Sequence, residues 1–452
     1  MPGQTREPSR LLYGALLGIP ALGTLSSNIM NAQLHTIQTD LGADSSGIVM
    51  AVSAFTVAMV MCVPLAGWMC DRFGARNVLI GSLAVMIVAE LGAALAQNLP
   101  MLIAMRAIQG IGCSAIPPGV LQPLTRLWPH KQAASTAAWA SASGLGQAIG
   151  PPLGGLITDA SNWRYVFVVH AALCAVAIVI LFKSMPASNY GRPPIHATGL
   201  TCLIMGIGSI VIAFTLAGQH TGGSLPLAVL GVGVIGLILY GLFASRNPLA
   251  LVAPRALYEE YFIRSTIAAS TSMFVLGVCI VTMPLYLATR LNLSPGAIGL
   301  VLLGLAVAMT GIAPLSPRLS AATSTRRVLQ GGLVLLAAST ITLSVLTSLN
   351  LVIPLWCFVV TLAVSGAGLA LTQSISALGI MRSAVGQRGM ALGIHNMMRF
   401  TGMAGGYAWV AVTYPLDRLW LTFGGAAVVA VIALIITALN VEKPIEIPKN
   451  QP

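Results

Sequence analysis

Fourteen apolar stretches, each about as long as a membrane-crossing helix, dominate this 452-residue chain. An α-helix needs about 20 apolar residues to cross the hydrocarbon core of a bilayer. Lipid offers the backbone no hydrogen-bond partners, so helices are the expected structure of such runs. The predicted helices cover residues 12–34, 48–69, 78–97, 101–121, 133–157, 165–182, 197–217, 225–244, 265–289, 295–317, 328–347, 352–379, 389–413 and 419–440.

The composition excludes a soluble protein. Hydrophobic residues make up 56% of the chain and charged residues only 8%, whereas soluble domains carry about 25% charge. The net charge of +12 does not indicate a nucleic-acid partner, because Lys and Arg occur singly or in pairs without a basic run. Seven cysteines without a CxxC spacing favour neither disulfides nor a metal site. We therefore expect an all-α membrane protein surrounded by lipid, with no metal and no cofactor.

The basic residues predict the orientation, since they remain on the cytoplasmic side of a bilayer. With fourteen helices and an inside N-terminus, eighteen of the 23 Lys and Arg residues fall in cytoplasmic segments, and only Arg164, Arg290 and Arg418 fall outside. Arg106 and Arg399 remain within predicted helices. Both termini are thus expected in the cytoplasm, and the chain is expected to cross the plasma membrane or a bacterial inner membrane. Omitting a pair of helices would preserve this bias, so twelve spans remain an alternative.

A weak internal repeat predicts two related halves. The fifth and thirteenth helices both follow a basic residue and carry a run of glycines, and the basic loop after the second helix has a counterpart around residues 318–327. Parallel repeats of this kind are typical of transporters whose site lies between the halves. We expect a six-helix bundle over 1–184, a linker with two extra transmembrane helices over 185–260, and a second six-helix bundle with a short tail over 261–452.

Three polar segments in the first half suggest function. The loop after the second helix contains an acid and two arginines between glycines, and it could latch one conformation or be a solvated cytoplasmic loop. In the fourth helix, Arg106, Gln109 and Cys113 share a face, and the guanidinium must face protein, water or the headgroups. The fifth helix combines small residues, which permit close packing, with paired prolines, which bend a helix.

These segments resemble the signature motifs of the major facilitator superfamily. Residues 67–76 resemble its GxxxDRxGRR pattern with Ala75 in place of an arginine, 106–112 its RxxQGxG pattern, and 146–155 its GxxxGPxxGG antiporter pattern with Pro152 added. The resemblance extends through 25–41 and 248–300 and is strongest to the fourteen-helix drug/proton antiporter branch. It implies two bundles rocking about a central cavity. The implied roles are a conformational latch at Gly67, Asp71, Arg72, Gly74 and Arg76, and an antiporter bend at Gly146, Gly150, Pro151, Gly154 and Gly155.

The drug/proton antiporter branch usually carries an Asp and a Pro in helix one, whereas this chain has Ser26 and His35 at those places. Glu90 is the one carboxylate deep in a predicted span, and a buried acid can bind and release a proton. Glu90 could equally remain neutral at a helix contact. His395, one turn before Arg399, is the other proton-carrier candidate, and the resemblance adds Arg106 to proton coupling. We interpret His170 as satisfying a local backbone carbonyl.

The predicted function is transport. An unpaired Arg399 would face an aqueous cavity and favour anionic or neutral substrates. The predicted cavity residues are Asn28, Asn31, Gln109, Gln147, Gln373, His395, Asn396 and Arg399. We expect a monomeric secondary transporter that exports small amphiphilic compounds in exchange for protons. An importer or facilitator of an organic anion is the alternative. The sequence contains no Walker loop and no catalytic cluster, so we do not expect an enzyme.

Overall fold

Long helices joined by short connections contain almost all of the described residues. The computed structural model describes residues 10–128, 132–186, 197–217, 223–246, 259–348, 353–382 and 389–439, and these contain no β-strand. Of the basic residues that predict the orientation, Arg6, Lys131, Arg192, Arg255, Arg388, Lys443 and Lys449 lie outside the described residues. The helices before the inserted pair are α1 (Arg10–Asn28), α2 (Leu34–Asp40), α3 (Ser45–Phe73), α4 (Ala75–Ala94), α5 (Leu99–Cys113), α6 (Ile116–Leu127), α7 (Gln132–Ala160) and α8 (Trp163–Ser184).

The remaining helices follow the same pattern. They are α9 (Ala197–Ala217), α10 (Leu225–Arg246), α11 (Glu260–Leu291), α12 (Pro295–Ile312), α13 (Ser316–Ala322), α14 (Thr325–Ser348), α15 (Leu355–Arg382), α16 (Gly389–Thr413) and α17 (Leu419–Ala438). Within the described residues, eleven helical segments are long and apolar enough to cross a membrane. Together with α9, α7 and α16 they make up the fourteen predicted spans of an all-α membrane protein.

Three spans consist of two helices each, so the prediction of one continuous helix over 12–34 is wrong. A 3-10 turn at Asn31–Gln33 separates α1 from α2. Asn28 donates a hydrogen bond to the carbonyl of Thr24, and Asn31 donates to Asn28. Such local side-chain bonds compete with a regular helix. Prolines account for the breaks between α5 and α6 and between α12 and α13, because they lack the amide hydrogen.

Helix packing repeats between the two groups of six spans, which we call the first group (α1–α8) and the second group (α11–α17). In the first group α1 packs on α7, α3 on α5, and α4 on α8. In the second group α11 packs on α16, α12 on α15, and α14 on α17. The groups meet along two seams, α7 with α12 and α16 with α3, and α9 lies against both α3 and α16. The repeated packing agrees with the internal repeat in the sequence.

The two ends of the bundle differ. We call the end where α1 begins the basic end, since it carries Arg72, Arg76 and Arg126, and the other the far end. At the far end, Asp159 of α7 accepts hydrogen bonds from the Ser294 hydroxyl at 2.8 Å and the Gly296 amide at 2.9 Å, at the start of α12. Helix α2 also packs on α11 there. These contacts join the two groups, so the far end is closed.

Candidate functional site

Five polar side chains from four helices meet inside the far half of the first group. They are Ser26 of α1, Glu90 of α4, Arg106 and Gln109 of α5, and His170 of α8, and none is more than 1% exposed. We call these five residues the buried network. Charged groups removed from water are strongly unfavourable unless they are paired and hydrogen-bonded. The interactions among these side chains therefore decide whether the helices can pack at all.

The buried network is a continuous chain of hydrogen bonds. The Nδ1 atom of His170 lies 2.5 Å from Oε1 of Glu90, and its Nε2 lies 2.9 Å from the Leu22 carbonyl oxygen. Gln109 donates from Nε2 to the same Glu90 oxygen at 2.9 Å and to the Ser26 hydroxyl at 2.6 Å. Arg106 donates from Nη1 to Oε1 of Gln109 at 2.7 Å and to the Ser26 carbonyl at 3.1 Å. Gln109 thus bridges the carboxylate and the guanidinium.

The buried network is not fully satisfied. Oε2 of Glu90 and the Nε and Nη2 atoms of Arg106 have no hydrogen-bond partner within the described residues. The guanidinium carbon instead lies 4.5 Å from the centre of the Phe55 ring, and Tyr407 of α16 in the second group lies nearby. An acid and a base with unused atoms, separated by one amide side chain, can rearrange without bringing in new groups.

Helical spacing and a glycine assemble the buried network. Arg106 and Gln109 lie three residues apart and therefore share the inner face of α5. A side chain at Gly110 would collide with the Phe55 carbonyl, so this glycine lets α3 approach α5. Cys174, one turn after His170 on α8, places its sulfur 3.6 Å from the same Nδ1 atom.

Glu90, His170 and Cys174 are also a cluster of possible metal ligands, with all three ligand atoms within 4.8 Å of one another. Two nitrogen or oxygen ligands of one tetrahedral zinc ion are held about 3.3 Å apart by the metal–ligand bond lengths. The 2.5 Å between Glu90 and His170 is shorter. The cluster therefore has the geometry of a hydrogen bond and not that of a metal centre.

The predicted latch residues contact other residues of the first group. Gln122 donates to Asp71 at 3.0 Å, Arg76 donates to the Phe182 carbonyl at 2.7 Å, and Arg72 lies over the Trp68 ring at 5.2 Å. Gly74 has φ +85° at the turn between α3 and α4, which requires a glycine. Gly67 lies within α3 and not in the loop, and a Cβ there would meet no atom within 4 Å.

The predicted antiporter segment is the helix face that joins α7 to its neighbours. Side chains at Gly146 and Gly154 would collide with backbone carbonyls of α1, and one at Gly155 would collide with the Pro295 carbonyl of α12. At Gly150 an added Cβ would lie 3.2 Å from Asn28. Pro151 lies inside α7, which continues past it to Ala160. The small residues thus permit contact both within the first group and across the seam.

The predicted cavity residues separate into two sets. Gln147, Gln373, Asn396 and Arg399 are partly exposed and lie between the middle of the bundle and the basic end. Asn28, Asn31 and Gln109 are buried in the far half. His395 is 4% exposed, and its Nδ1 lies 3.1 Å from the Thr266 hydroxyl. The structure therefore places Arg106 and Arg399 in different environments and does not bring them into one cavity.

Arg399 lies between the middle of the bundle and the basic end, and it has no acidic partner in the described part of the chain. The guanidinium carbon lies 5.2 Å from the ring of the adjacent Phe400, and the Nε atom has no hydrogen-bond partner among the described residues. A partly exposed cation between two helix bundles raises the local concentration of anions.

Sequence reasoning missed the connection between Glu90 and His170. The prediction of a local backbone carbonyl for His170 is wrong: one ring nitrogen faces the carbonyl of Leu22 on α1, and the other contacts the acid. A signal was present, since an acid and a histidine each lie deep in an apolar span and each requires a partner there. Ser26, recognised only as a missing Asp, is the hydroxyl that accepts from Gln109.

Comparison with known proteins gives a family. The family model of the Major Facilitator Superfamily matches residues 16–198 and 265–451, well over half of the chain. The chain is similar to "Putative multidrug resistance protein MdtD" from Escherichia coli O81 (strain ED1a), with 24% identity over 64% of this chain and 62% of the relative. The protein of that name from strain IAI39 is 24% identical over 72% of this chain and 68% of its own length. The match thus spans about 62% of the first relative.

Solved structures share the fold. One is a POT family transporter in complex with a thioalcohol-conjugated peptide, with a TM-score of 0.73, 17% identity, and coverage of 94% of this chain and 95% of that one. Another, in complex with 5-aminolevulinic acid, has a TM-score of 0.70 at 17% identity and covers 96% of this chain and 97% of that one. At this identity the likeness shows the architecture alone.

Proposed function

The chain belongs to the major facilitator superfamily and is a multi-pass membrane transporter, and from this premise we propose that it exports small amphiphilic compounds in exchange for protons. The buried network carries the proposal. A proton-driven transporter needs a group that changes protonation when access switches between the two compartments, and Glu90 is the buried acid that can do so, with Arg106 one side chain away. The resemblance to the drug/proton antiporter branch and the similarity to the MdtD relatives support the substrate class.

Alternating access supplies the mechanism. We propose two bundles, 1–184 and 261–452, that tilt about the seams, with the pair of helices in 185–260 inserted between them. The far end is closed by Asp159, while the partly exposed Gln147, Gln373, Asn396 and Arg399 face the basic half. The basic residues assign the basic end to the cytoplasm, which makes this conformation the inward-facing one and places both termini in the cytoplasm of a bacterial inner-membrane protein. We assign the cavity to the predicted polar residues and expect a monomer.

Latch and coupling residues follow from the contacts. In this inward-facing conformation Asp71, Arg72 and Arg76 contact residues of the first group. When the basic end closes, they exchange these contacts for residues of the second group. Protonation of Glu90 changes the charge of the buried network by one unit, next to an arginine that lies near Tyr407 of the second group. His395 is a second proton-coupling candidate, since it shares α16 with Arg399.

The test uses the full chain in proteoliposomes with ethidium as a cationic probe. An imposed pH gradient is expected to drive ethidium movement opposite to the proton flux, and Glu90→Gln is expected to remove the driven component while exchange down an ethidium gradient continues. Asp417→Asn, which alters an exposed carboxylate at the far end, is the control and keeps driven transport. Full gradient-driven transport by Glu90→Gln would exclude Glu90 as the proton carrier.

An importer or facilitator of an organic anion is the second candidate, and Arg399 favours it. A partly exposed arginine without an acidic partner in the described residues attracts anions and repels cations. Carboxyfluorescein is therefore the second probe. Transport of carboxyfluorescein in the direction of the proton flux, with ethidium left untransported, would support the anion importer and contradict the exporter.

A further inference from the structure

The closest contact in the buried network is that between Glu90 and His170. Both side chains are at most 1% exposed, and Oε1 lies 2.5 Å from Nδ1. The other ring nitrogen, Nε2, faces the Leu22 carbonyl oxygen, which can only accept a hydrogen bond. Nε2 therefore carries a hydrogen in this arrangement.

One further proton must lie between Glu90 and His170. Without it, a carboxylate oxygen and a bare ring nitrogen would place two lone pairs 2.5 Å apart, which is strongly repulsive. With it, the pair is either carboxylate with imidazolium or carboxylic acid with imidazole, and both forms are neutral overall. A neutral pair is also the form that burial favours.

We propose that Glu90 and His170 bind and release one proton as a unit, and that on release Glu90 exchanges His170 for Arg106. This proposal deepens the proposed proton coupling and rests on it for its role in transport. In the loaded state the proton lies between Oε1 and Nδ1, as found here. When the proton leaves toward water, His170 remains neutral with its hydrogen on Nε2, and Glu90 is a carboxylate with a net charge of −1.

The released carboxylate has a partner ready. Arg106 has two nitrogen atoms, Nε and Nη2, without hydrogen-bond partners in the described part of the chain, and Oε2 of Glu90 is likewise unused. Gln109 holds both groups, donating to Glu90 and accepting from Arg106. Rotation of its amide away from the gap would let the two ions meet, and a carboxylate paired with a guanidinium is the strong charge-assisted bond.

The groups that face this pair are few. From α8 it is Cys174, from α5 they are Arg106 and Cys113, and Tyr407 of α16 lies near Arg106. Helix α1 contributes only the Ser26 hydroxyl and backbone carbonyls. Apart from Glu90, therefore, Arg106 is the charged side chain near His170 in the described residues, and loss of the proton leaves Glu90 a single cationic destination.

The experiment reads the proton directly by infrared difference spectroscopy of the purified full chain over a pH series, without a transported probe. The wild type is expected to lose one proton at a single midpoint, seen as the loss of a carboxylic acid band in the acid–imidazole form or of imidazolium bands in the carboxylate–imidazolium form. In both forms the bands of Glu90 and His170 change together, as coupled groups do, and Glu90→Gln removes this joint transition. His170→Gln is expected to shift the midpoint of the Glu90 band by about one pH unit or more. Cys174→Ser, which touches the same ring nitrogen, is the matched control and should shift it by less than about a third of that.

Clear outcomes oppose the proposal. An unchanged Glu90 midpoint in folded His170→Gln, or imidazole bands that stay constant while the wild-type acid titrates, would overturn it. An equal shift in Cys174→Ser would also overturn it, because a metal centre built from all three ligands then accounts for the cluster. If His170→Gln does not fold, the coincidence of the two wild-type transitions decides alone. If the spectra agree while the wild type moves no ethidium in a pH gradient, the proton pair stands and the proposed export is wrong.

Discussion

Glu90 owes its chemistry to three neighbours rather than to its depth in the membrane. His170 contacts one carboxylate oxygen, Gln109 donates to the same oxygen, and Arg106 lies beyond the amide. A buried acid with a single partner would be held in one state, because separating it would leave a charge unpaired. Two alternative partners of opposite chemistry allow the acid to change state while it remains paired.

The Ser26 position gives the sharpest test of this arrangement. The resemblance to the drug/proton antiporter branch leads us to expect an Asp at this place, and the Ser26 hydroxyl lies 2.6 Å from Gln109 while its carbonyl accepts from Arg106. We expect Glu90→Gln to lower proton-driven ethidium transport by about tenfold or more, and Ser26→Asp in that background to restore part of it, because the new carboxylate reaches the same partners. Ser27→Asp in the same background is the control, since Ser27 bonds to Thr24 and Asn28 instead. A folded double variant without any recovery would contradict the shared role.

Arg399 gives a prediction about charge selectivity. The residue is partly exposed and its guanidinium lacks an acidic partner among the described residues, so it should attract anions. Arg399→Ala is expected to slow carboxyfluorescein transport by about tenfold relative to ethidium transport, and Arg399→Lys is expected to retain most of it. The measurement is the ratio of initial rates for the two probes in the same proteoliposomes. Equal losses for both probes would remove the electrostatic role.

Glycines set how closely the helices approach. In the first group Gly146 and Gly154 bring α7 against the carbonyls of α1, and in the second group Gly402 and Gly406 bring α16 against those of α11. Small residues at four-residue spacing are the usual device for close helix contact in membranes. The two groups are therefore built by the same contact.

Gly154→Ala is expected to destabilise the protein. The added methyl would collide with the Ile29 carbonyl, which belongs to the backbone and can move only if α1 and α7 separate, at about 1–3 kcal/mol. Gly144→Ala is the matched control in the same helix, because the nearest atom there is 3.9 Å away. Thermal unfolding in detergent should show a lower midpoint for Gly154→Ala than for the wild type, whereas Gly144→Ala should keep the wild-type midpoint. Equal midpoints for the two variants would show that the contact between α7 and the end of α1 tolerates expansion.

Apolar length and periodicity predicted the helices, but polar side chains decided where they break. The runs of about 20 apolar residues predicted fourteen spans, which the described helices contain. The breaks at Asn31–Gln33 and at Ser114 were not predicted, because they depend on side-chain bonds to the backbone and on prolines acting within a packed bundle. Arg106 and Gln109 were predicted on one face from spacing alone. Their connection to Glu90 and His170 depends on how α4, α5 and α8 are rotated, which a single sequence does not specify.

At the scale of the whole molecule, the two groups are joined at the far end and polar side chains are partly exposed toward the basic end. The Asp159 carboxylate belongs to the first group, and both of its hydrogen-bond donors belong to the second. Opening the far end must break these two bonds. Asp159 is therefore a contact of one conformation, as we propose for Asp71 and Arg72 at the opposite end.

Asp159→Asn is expected to loosen the far end. An uncharged amide is a weaker acceptor than a carboxylate, so the Gly296 amide should be freed more often. Hydrogen exchange measured by mass spectrometry should be about tenfold faster in peptides covering 294–300, with exchange at the basic end of α3 unchanged. Asp44→Asn is the control, because Asp44 caps α3 within the first group. Unchanged exchange over 294–300 would show that the closure does not depend on Asp159.

Helix α9 contacts α3 of the first group and α16 of the second, with the Met61 side chain lying directly against Gly208. The groups cannot part along that seam unless α9 releases one of them. If the two groups move as we propose, the inserted pair limits how far they can separate along this seam. The width of the opening between the two groups then depends partly on residues that do not contact the substrate.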